Sequence, residues 1–203
     1  MIVVVDYGMG NLRSVSKALE YAGGKVRVSS SPIDVRRAQK LVLPGVGAFG
    51  DAVAELEKTR LFLPVQSYIQ KARPFLGICL GLQLLFEESG ESPGTAGLAI
   101  FSGEVRSFQS KKIKVPHMGW NSVSKIKEHP LSRGIPDDSY FYFVHSYYAI
   151  PRDKKLILGS CRYGEERFPA ILGNDTAFAT QFHPEKSQQA GLQILKNFVR
   201  WSP

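Results

Sequence analysis

The most informative segment of the sequence is Phe75-Leu76-Gly77-Ile78-Cys79-Leu80-Gly81, and an amphipathic segment from Leu82 to Phe86 follows it. This order predicts a strand, a sharp turn and a helix. A nucleophile at the tip of such a turn is exposed on a strained backbone, and glycines two residues to either side allow the tight approach. The positive end of a helix dipole favours a thiolate at this position. Cys79 is therefore a candidate nucleophile, although a cysteine in an apolar stretch is more often a core residue.

A second motif, Phe182-His183-Pro184-Glu185, supplies the partners that such a nucleophile needs. A cysteine nucleophile requires a base, and the base requires an orienting group. In an extended segment residues i and i+2 point to the same side, so Glu185 can hold one nitrogen of the His183 ring while the other faces a thiol. The two motifs together predict a Cys79–His183–Glu185 triad. By contrast, Glu128-His129-Pro130 is typical of a polar turn.

A third segment, Leu43-Pro44-Gly45-Val46-Gly47, follows a strand-like run. Acyl transfer through Cys79 places negative charge on a carbonyl oxygen, and backbone N–H groups aimed at that oxygen stabilise it. We expect one such donor from Leu80, directly after the nucleophile. The glycine loop is expected to provide the other, from Val46 or Gly47.

The same loop permits a different interpretation. Residues 45–50 read G-V-G-A-F-G, which matches the fingerprint of dinucleotide-binding proteins. That fingerprint is normally followed by an acidic residue at a strand end, which binds the ribose, and residues 65–76 supply none. We therefore expect no cofactor.

Apolar spacing along the chain predicts an α/β protein. We expect strands at residues 2–6, 25–29, 41–43 and 75–78, a short helix capped by Asp34, and longer helices at 11–21, at 51–72 with a break near Pro64, and at 191–201. Alternating strands and helices indicate a parallel sheet with crossover helices. Short strands and turns dominate residues 98–181. The expected fold is one domain over residues 1–203, a mostly parallel, flavodoxin-like open sheet flanked by helices, with an antiparallel extension.

The composition is ordinary for a globular domain, with 203 residues, 43% hydrophobic and 22% charged. No apolar run approaches the roughly 18 residues that a membrane helix needs. The net charge is +8, but the basic residues fall in short scattered groups, so neither a nucleic-acid nor a membrane partner is expected. Cys79 and Cys161 form no C-x-x-C pattern, so no metal site is expected. A free catalytic thiol suits a reducing, cytoplasmic location.

Several segments resemble a known family. Gly77-Ile78-Cys79-Leu80-Gly81 with Gln83, together with Gln181-Phe182-His183-Pro184-Glu185, resembles the class I, triad-type glutamine amidotransferases. Two further segments, residues 116–121 (P-H-M-G-W-N) and 140–147 (Y-F-Y-F-V-H-S-Y), are similar to the glutaminase subunits of imidazole glycerol phosphate synthase, which act in histidine biosynthesis. The likeness runs in order from the first strand to the last helix.

This resemblance implies an activity and a substrate. Cys79 would attack the side-chain amide of glutamine, ammonia would leave, and water would hydrolyse the remaining glutamyl thioester. The resemblance also implies a set of glutamine-binding residues: Gly45, Gly47, Gln83, Glu91 and the backbone of His145, Ser146 and Tyr147.

The sequence shows no second site that would use the ammonia, which implies a separate partner. By resemblance this partner is a (β/α)₈-barrel cyclase, joined to the chain as a heterodimer, that receives ammonia through an internal channel. The family's contact surface maps onto Asn11, Met118, Trp120, Tyr142 and Lys186.

Other functions stay open at this point. A stand-alone cysteine hydrolase of another γ-glutamyl substrate, or a different member of the class I amidotransferases, would use the same triad, and partner-dependent activity would separate them. A dinucleotide-binding module would use residues 45–50 and leave Cys79 idle, and a titration with NAD would separate it.

Overall fold

A computed structural model describes residues 1–124 and 126–203 of the chain. Strands and helices alternate in the first half, and short strands dominate the second, as expected. The strands are β1 (Ile2–Val5), β2 (Val26–Ser29), β3 (Lys40–Gly45), β4 (Phe75–Cys79), β5 (Glu88–Ser89), β6 (Gly103–Ser107), β7 (His117–Ser124), β8 (Ser139–His145), β9 (Tyr147–Pro151), β10 (Ile157–Tyr163), β11 (Glu166–Gly173) and β12 (Ala177–Thr180). The helices are α1 (Leu12–Tyr21), α2 (Pro32–Arg37), α3 (Phe49–Lys58), α4 (Phe62–Gln70), α5 (Leu80–Gln83) and α6 (Gln188–Arg200).

The main sheet has nine strands in the order β2-β1-β3-β4-β12-β11-β10-β7-β8. The first five strands in this order, β2 to β12, run parallel to one another. From β12 onward, each strand runs antiparallel to the next one in the order. A small second sheet contains β5, β6 and β9. The prediction of a mostly parallel α/β sheet with an antiparallel extension is confirmed.

Helices cover both faces of the parallel half. Successive side chains of a strand point to opposite faces. Accordingly, Val3 and Val5 of β1 pack in the hydrophobic cluster that contains the buried side of α3, while Ile2 and Val4 pack in the cluster with α1 and α6. A strand that is buried on both faces reads as a continuous apolar run, which explains the sequence of β1.

Register within the parallel half positions the site. Gly45 at the end of β3 lies opposite Cys79 at the end of β4, and Thr180 of β12 lies opposite Ile78. The next residue, Gln181, therefore follows β12 at the same edge of the sheet. The carboxyl ends of three neighbouring parallel strands meet there, and such an edge is the usual location of ligand sites in open α/β sheets.

Three local predictions are wrong. The break in the expected helix at 51–72 lies at residues 59–61, and Pro64 sits in the first turn of α4, where the absent N–H costs no hydrogen bond. The cap of α2 is Ser31, and Asp34 lies inside its first turn. The helix expected after Cys79 is the single turn α5, and residues 80–86 are buried on every side rather than amphipathic.

The polar turn expected at residues 128–130 is also different. His129 is 9% exposed and caps a short 3₁₀ helix, accepting the N–H of Leu131 on Nδ1. Its ring packs against Phe178 and Trp201, with centroids 5.0 and 5.6 Å away. His129 is therefore part of the core that holds the C-terminal end of α6.

Candidate active site

Cys79 sits on a sharp turn between β4 and α5. Its φ and ψ are 54° and −105°, a region that side chains other than glycine rarely adopt and that is costly unless the surroundings impose it. The neighbouring glycines explain how the turn closes. A Cβ at Gly77 would lie 2.7 Å from the carbonyl oxygen of Gly81, and a Cβ at Gly81 would overlap the carbonyl oxygen of Leu43. The strained turn inferred from the sequence is therefore present.

His183 and Glu185 form a buried pair. His183 Nδ1 lies 2.8 Å from Glu185 Oε1, and the two side chains are 3% and 1% exposed. The pair is built by a 3₁₀ turn over Pro184–Lys186 rather than by extended chain. The His183 backbone N–H donates to the Tyr142 carbonyl at 3.0 Å, which fixes the turn to β8.

Cys79 affects the charge of this pair. Burial by itself lowers the pKa of His183, but Cys79 and Glu185 together outweigh it and hold that pKa well above its ordinary value. His183 Nε2 and Glu185 Oε2 make no hydrogen bond within residues 1–124 and 126–203. The thiol thus lies outside hydrogen-bond geometry with Nε2 but near enough to favour an imidazolium. The arrangement suits a thiolate–imidazolium pair with Glu185 orienting the ring.

A cavity of about 320 Å³ opens beside Cys79. That volume is at the lower end of the roughly 300–1,000 Å³ of small-molecule sites, so the cavity suits a small substrate. It brings together most of the residues that the sequence predicted for the site. They are Val46, Gly47, Cys79, Leu80, Gln83, Glu91, His145, Ser146 and Tyr147, with Pro116 and Val144 in addition.

Gly45 does not line this cavity. It pairs with Cys79 in the sheet, and a Cβ there would lie 2.9 Å from the Leu80 side chain and overlap the Tyr7 hydroxyl. Tyr7 in turn donates its hydroxyl to the Pro44 carbonyl at 2.9 Å. Gly45 therefore meets a packing requirement of the loop, and its contact with a substrate stays a prediction.

The expected oxyanion loop stands at the cavity mouth. Gly47 has φ 110°, which a side chain would strain, and a Cβ there would lie 2.6 Å from Met9 Cε. Val46 is 42% exposed. In the part of the chain that the structure describes, the N–H of Gly47 donates to no acceptor.

The N-terminus of α3 is already occupied by side chains. Glu91 Oε2 accepts the N–H of Phe49 at 2.8 Å, and Ser92 Oγ accepts that of Gly50 at 3.0 Å. A dinucleotide pyrophosphate would require these same N–H groups. The contacts therefore argue against the dinucleotide interpretation of residues 45–50.

Two of the expected backbone contacts are used inside the protein. The Tyr147 carbonyl lies 2.9 Å from both Gln83 Nε2 and His145 Nδ1, and the Ser146 carbonyl accepts the Phe108 N–H at 3.4 Å. The Tyr147 carbonyl therefore already accepts two hydrogen bonds, while the predicted contacts of glutamine with the backbone of residues 145–147 stay predictions. Gln181, for which no role was predicted, places its Nε2 3.7 Å from Cys79 Sγ. Its position next to the His-Pro-Glu motif is the signal in the sequence that points to it.

Four of the five residues expected at a partner interface lie at one edge of the main sheet. Met118 and Trp120 of β7 are 62% and 45% exposed, and β8 beside them is the last strand of the sheet. Trp120 contacts Tyr142 edge-on at 6.1 Å, and Lys186 Nζ lies 5.7 Å from the centroid of the same tyrosine. The fifth expected residue, Asn11, is exposed and caps α1.

Other features of the described residues do not compete with this site. A larger groove of about 970 Å³ runs between α1 and α6, and its lining includes Ser14, Lys17 and Glu185 but not Cys79. The described residues contain no group of three or more His, Cys, Asp or Glu side chains that could hold a metal ion. None of the helices described is long and apolar enough to cross a membrane.

The chain was compared with known proteins. The family model of glutamine amidotransferase class-I matches residues 3–201. Imidazole glycerol phosphate synthase subunit HisH of Caldanaerobacter subterraneus is 49% identical over 198 residues, covering 98% of this chain and 97% of the relative. The protein of the same name from Dechloromonas aromatica is 51% identical over 212 residues, covering 100% and 97%.

Solved structures agree on the fold. A crystal structure of a glutamine amidotransferase superimposes with a TM-score of 0.76 at 16% identity, covering 99% of this chain and 100% of that one. The structure of PurLQS from Thermotoga maritima gives 0.75 at 17% identity, covering 98% of this chain and 97% of the matched one. With the full-length match to the family model and relatives near 50% identity, the chain belongs to the class-I glutamine amidotransferase family, among the imidazole glycerol phosphate synthase subunit HisH proteins.

Proposed function

We propose that the chain is the glutamine-hydrolysing subunit of an imidazole glycerol phosphate synthase and that Cys79, His183 and Glu185 are its catalytic triad. The observation that carries this proposal is the strained turn of Cys79, which lines a cavity sized for a small substrate and lies beside the buried His183–Glu185 pair. The family supplies the substrate class, and the geometry supports the role of each residue.

The reaction follows from these groups. The Cys79 thiolate attacks the side-chain amide carbon of glutamine, a C–S bond forms, and the carbonyl oxygen becomes an oxyanion held by backbone N–H groups of Leu80 and of Val46 or Gly47. His183 gives its proton to the amide nitrogen, the C–N bond breaks, and ammonia leaves. His183 then takes a proton from water, which attacks the thioester. The C–S bond breaks, glutamate leaves, and the thiolate is restored.

Gln83 and Glu91 are proposed to bind the glutamine. Both line the cavity, and their other contacts orient them toward it. Gln83 is 5% exposed and its Nε2 is held by the Tyr147 carbonyl, which leaves its Oε1 to accept from a ligand. One carboxylate oxygen of Glu91 is held by Phe49 N–H at the start of α3. A carboxylate at the cavity mouth suits the α-ammonium group of an amino acid.

The proposed partner is a (β/α)₈-barrel cyclase that consumes the ammonia. The exposed aromatic edge of β7 and β8 supports this docking site, because contiguous exposed apolar and aromatic side chains mark protein interfaces. Tyr142 connects the edge to the triad. Its side chain contacts Trp120 and Lys186, and its carbonyl accepts the His183 N–H.

The test compares the two cysteines of the chain. Cys79→Ala removes the nucleophile and is expected to abolish glutamate release from glutamine while the circular dichroism spectrum stays normal. Cys161→Ala is the matched control, because Cys161 is a strand residue that is only 1% exposed. Burial raises the pKa of the Cys161 thiol to about 12, so this thiol stays protonated. Glutaminase activity in Cys79→Ala within a few-fold of the parent would refute the proposal.

A further inference from the structure

The sulfur of Cys79 has two polar groups of opposite character within 4 Å. Sγ is 3.9 Å from the Val144 carbonyl oxygen, which can only accept, and 3.7 Å from Gln181 Nε2, which can only donate. A protonated thiol can donate to Val144. A thiolate is repelled by that carbonyl and attracted by the Gln181 N–H. The two contacts therefore favour different protonation states of the same sulfur.

The orientation of the Gln181 amide is fixed by a neighbour. Tyr147 O is a carbonyl, so the Gln83 group that lies 2.9 Å from it must be the NH₂ group. The same Gln83 Nε2 lies 3.3 Å from Gln181 Oε1 and donates to it. Gln181 must then turn its own NH₂ toward Cys79. This assignment follows from hydrogen-bond directions alone, starting at one carbonyl.

Two histidines hold that carbonyl from the other side. His145 Nδ1 is 2.9 Å from Tyr147 O and must carry the proton. Burial lowers the pKa of His145 to about 3 and that of His117 to about 4, so both rings are neutral near pH 7. His145 Nε2 is then an acceptor, and His117 Nδ1, 3.1 Å away, donates to it. His117 Nε2 in turn accepts from Asn121 Nδ2 at 3.2 Å.

The result is two buried lines of hydrogen bonds that meet at one oxygen. One runs from Asn121 through His117 and His145 to Tyr147 O, and the other runs from that oxygen through Gln83 and Gln181 to Cys79. The four side chains in the middle are almost fully buried: His117 is 3%, His145 6%, Gln83 5% and Gln181 0% exposed. Buried polar groups of this kind are costly unless every member is paired, so the network has a single low-energy arrangement.

We propose that Gln181 is a thiolate-stabilising residue, whose side-chain N–H is aimed at Cys79 Sγ by Gln83, and that the His117–His145 pair keeps this arrangement in place. The proposal rests on the function proposed above for Cys79. Gln181 contacts the reacting atom directly. His117 acts only through its neighbours and is a positioning residue.

The experiment measures the reactivity of Cys79 without using glutamine. The full chain is alkylated with iodoacetamide between pH 5 and 9, and modification of Cys79 is followed by peptide mass spectrometry. Gln181→Met keeps the side-chain length but removes the donor. A hydrogen bond to a charged group contributes about 1.5–3 kcal/mol, so alkylation at neutral pH is expected to slow about tenfold or more. The midpoint of the rate–pH profile is expected to move up by about one pH unit.

His183 and Tyr7 are titratable groups that interact with the charge of Cys79. His183 lies beside Cys79, and Cys79 and Glu185 raise the pKa of its ring against the effect of burial. Tyr7 lies on the β3 side, and burial together with the charge of Cys79 raises the pKa of its hydroxyl. His145 is neutral in this pH range. The substitutions leave these groups in place, so a shift of the profile reports on residue 181.

Matched variants separate this role from packing. Gln66→Met removes another partly buried glutamine donor, which serves the Leu98 carbonyl at 2.8 Å, and is expected to leave the profile unchanged. Gln181→Glu is isosteric and serves if the methionine variant does not fold; it is also expected to slow alkylation. His117→Phe retains the ring beside Phe143 but loses the donor to His145, and a smaller slowing of about two- to fivefold is expected.

The outcomes distinguish the two proposals. A folded Gln181→Met or Gln181→Glu protein whose profile matches that of the parent would overturn the role of Gln181. Profiles that shift equally in Gln66→Met would also overturn it. If the parent neither reacts at Cys79 nor hydrolyses glutamine with its partner, the catalytic role of Cys79 itself is wrong.

Discussion

A comparison of His183→Asn with His129→Asn tests how this fold uses its histidines. Both residues are buried, and both hold the start of a 3₁₀ helix that precedes or supports α6. The side chains of the two histidines nevertheless have different partners. His183 lies beside Cys79 and contacts Glu185. Among the described residues, the partners of the His129 ring nitrogens are backbone groups, and the ring packs on two aromatic rings.

The cost of His129→Asn can be worked from its contacts. Asparagine is a good cap and can keep the bond to the Leu131 N–H. It loses the hydrogen bond to the Asn174 carbonyl, 3.1 Å from Nε2, and the ring contacts with Phe178 and Trp201. At about 1 kcal/mol for the bond and roughly 0.5–1.5 for each ring pair, the free energy of unfolding falls by about 2–4 kcal/mol. The melting temperature then falls by roughly 4–16 °C.

Activity is expected to show the opposite pattern. Glutamate release per folded molecule in His129→Asn should stay within a few-fold of the parent. His183→Asn removes the base, and because base and nucleophile act as a unit its rate should fall by at least about 10³-fold. Rates are measured at 25 °C, with the folded fraction of each variant determined by circular dichroism.

Two results would refute this reasoning. Similar losses of activity in the two variants would show that His183 is not the base. An unchanged melting temperature in His129→Asn would show that the buried contacts of that ring contribute nothing to stability.

Three further predictions concern charge, acidity and the partner. Glu185→Gln keeps the shape of the residue but removes the charge that orients His183, so glutaminase activity should fall by about 10² or more with little change in melting temperature; normal activity would contradict the assignment. His117 and His145 stay neutral in the folded protein but become protonated below about pH 6.5 in the unfolded chain. Their contribution to the free energy of unfolding is complete above that pH, and each should lose up to about 1.4 kcal/mol per pH unit as the pH falls toward 4. Urea unfolding at pH 7, 6 and 5 measures this slope, and the control variant His117→Phe should give a smaller one. The isolated chain should hydrolyse glutamine slowly, and the proposed cyclase with its ligand should activate it. A flip of the Pro44–Gly47 loop can add or remove one oxyanion donor, which is equivalent to about 10²–10³ in rate. Equal turnover by the chain alone, by the chain with its partner and by the chain with partner and ligand would show that the loop does not switch.

Local sequence predicted the turn at Cys79 because its requirements are local. At Gly77 and Gly81 the backbone passes so close to Gly81 and to the adjacent strand β3, respectively, that a Cβ would not fit. The spacing of these glycines around Cys79 therefore indicates the turn. The His183–Glu185 contact was predictable for the same reason, since only two residues separate the partners. The parallel half of the sheet was predicted from alternating apolar strands and helical spacing.

Features that depend on tertiary contacts were not predictable in this way. The apolar run after Cys79 matched a helix, but burial on all sides limits α5 to one turn. His129 reads as part of a polar turn because the rings that cover it, Phe178 and Trp201, lie far along the chain. Gln181 comes within 3.7 Å of a residue 102 positions away through the register of β12 against β4.

The shortness of α5 changes the account of how a thiolate is stabilised at Cys79. A macrodipole sums over aligned peptides, and one turn supplies little of it. The positive charge must therefore come from elsewhere, and the structure offers His183, whose pKa Cys79 and Glu185 keep raised against the effect of burial. The sulfur also lies 3.9 Å from the Val144 carbonyl oxygen, which opposes negative charge. The Gln181 N–H lies near that same sulfur, so on the proposed role of Gln181 the strand register that joins β12 to β4 would serve the chemistry as well as the fold.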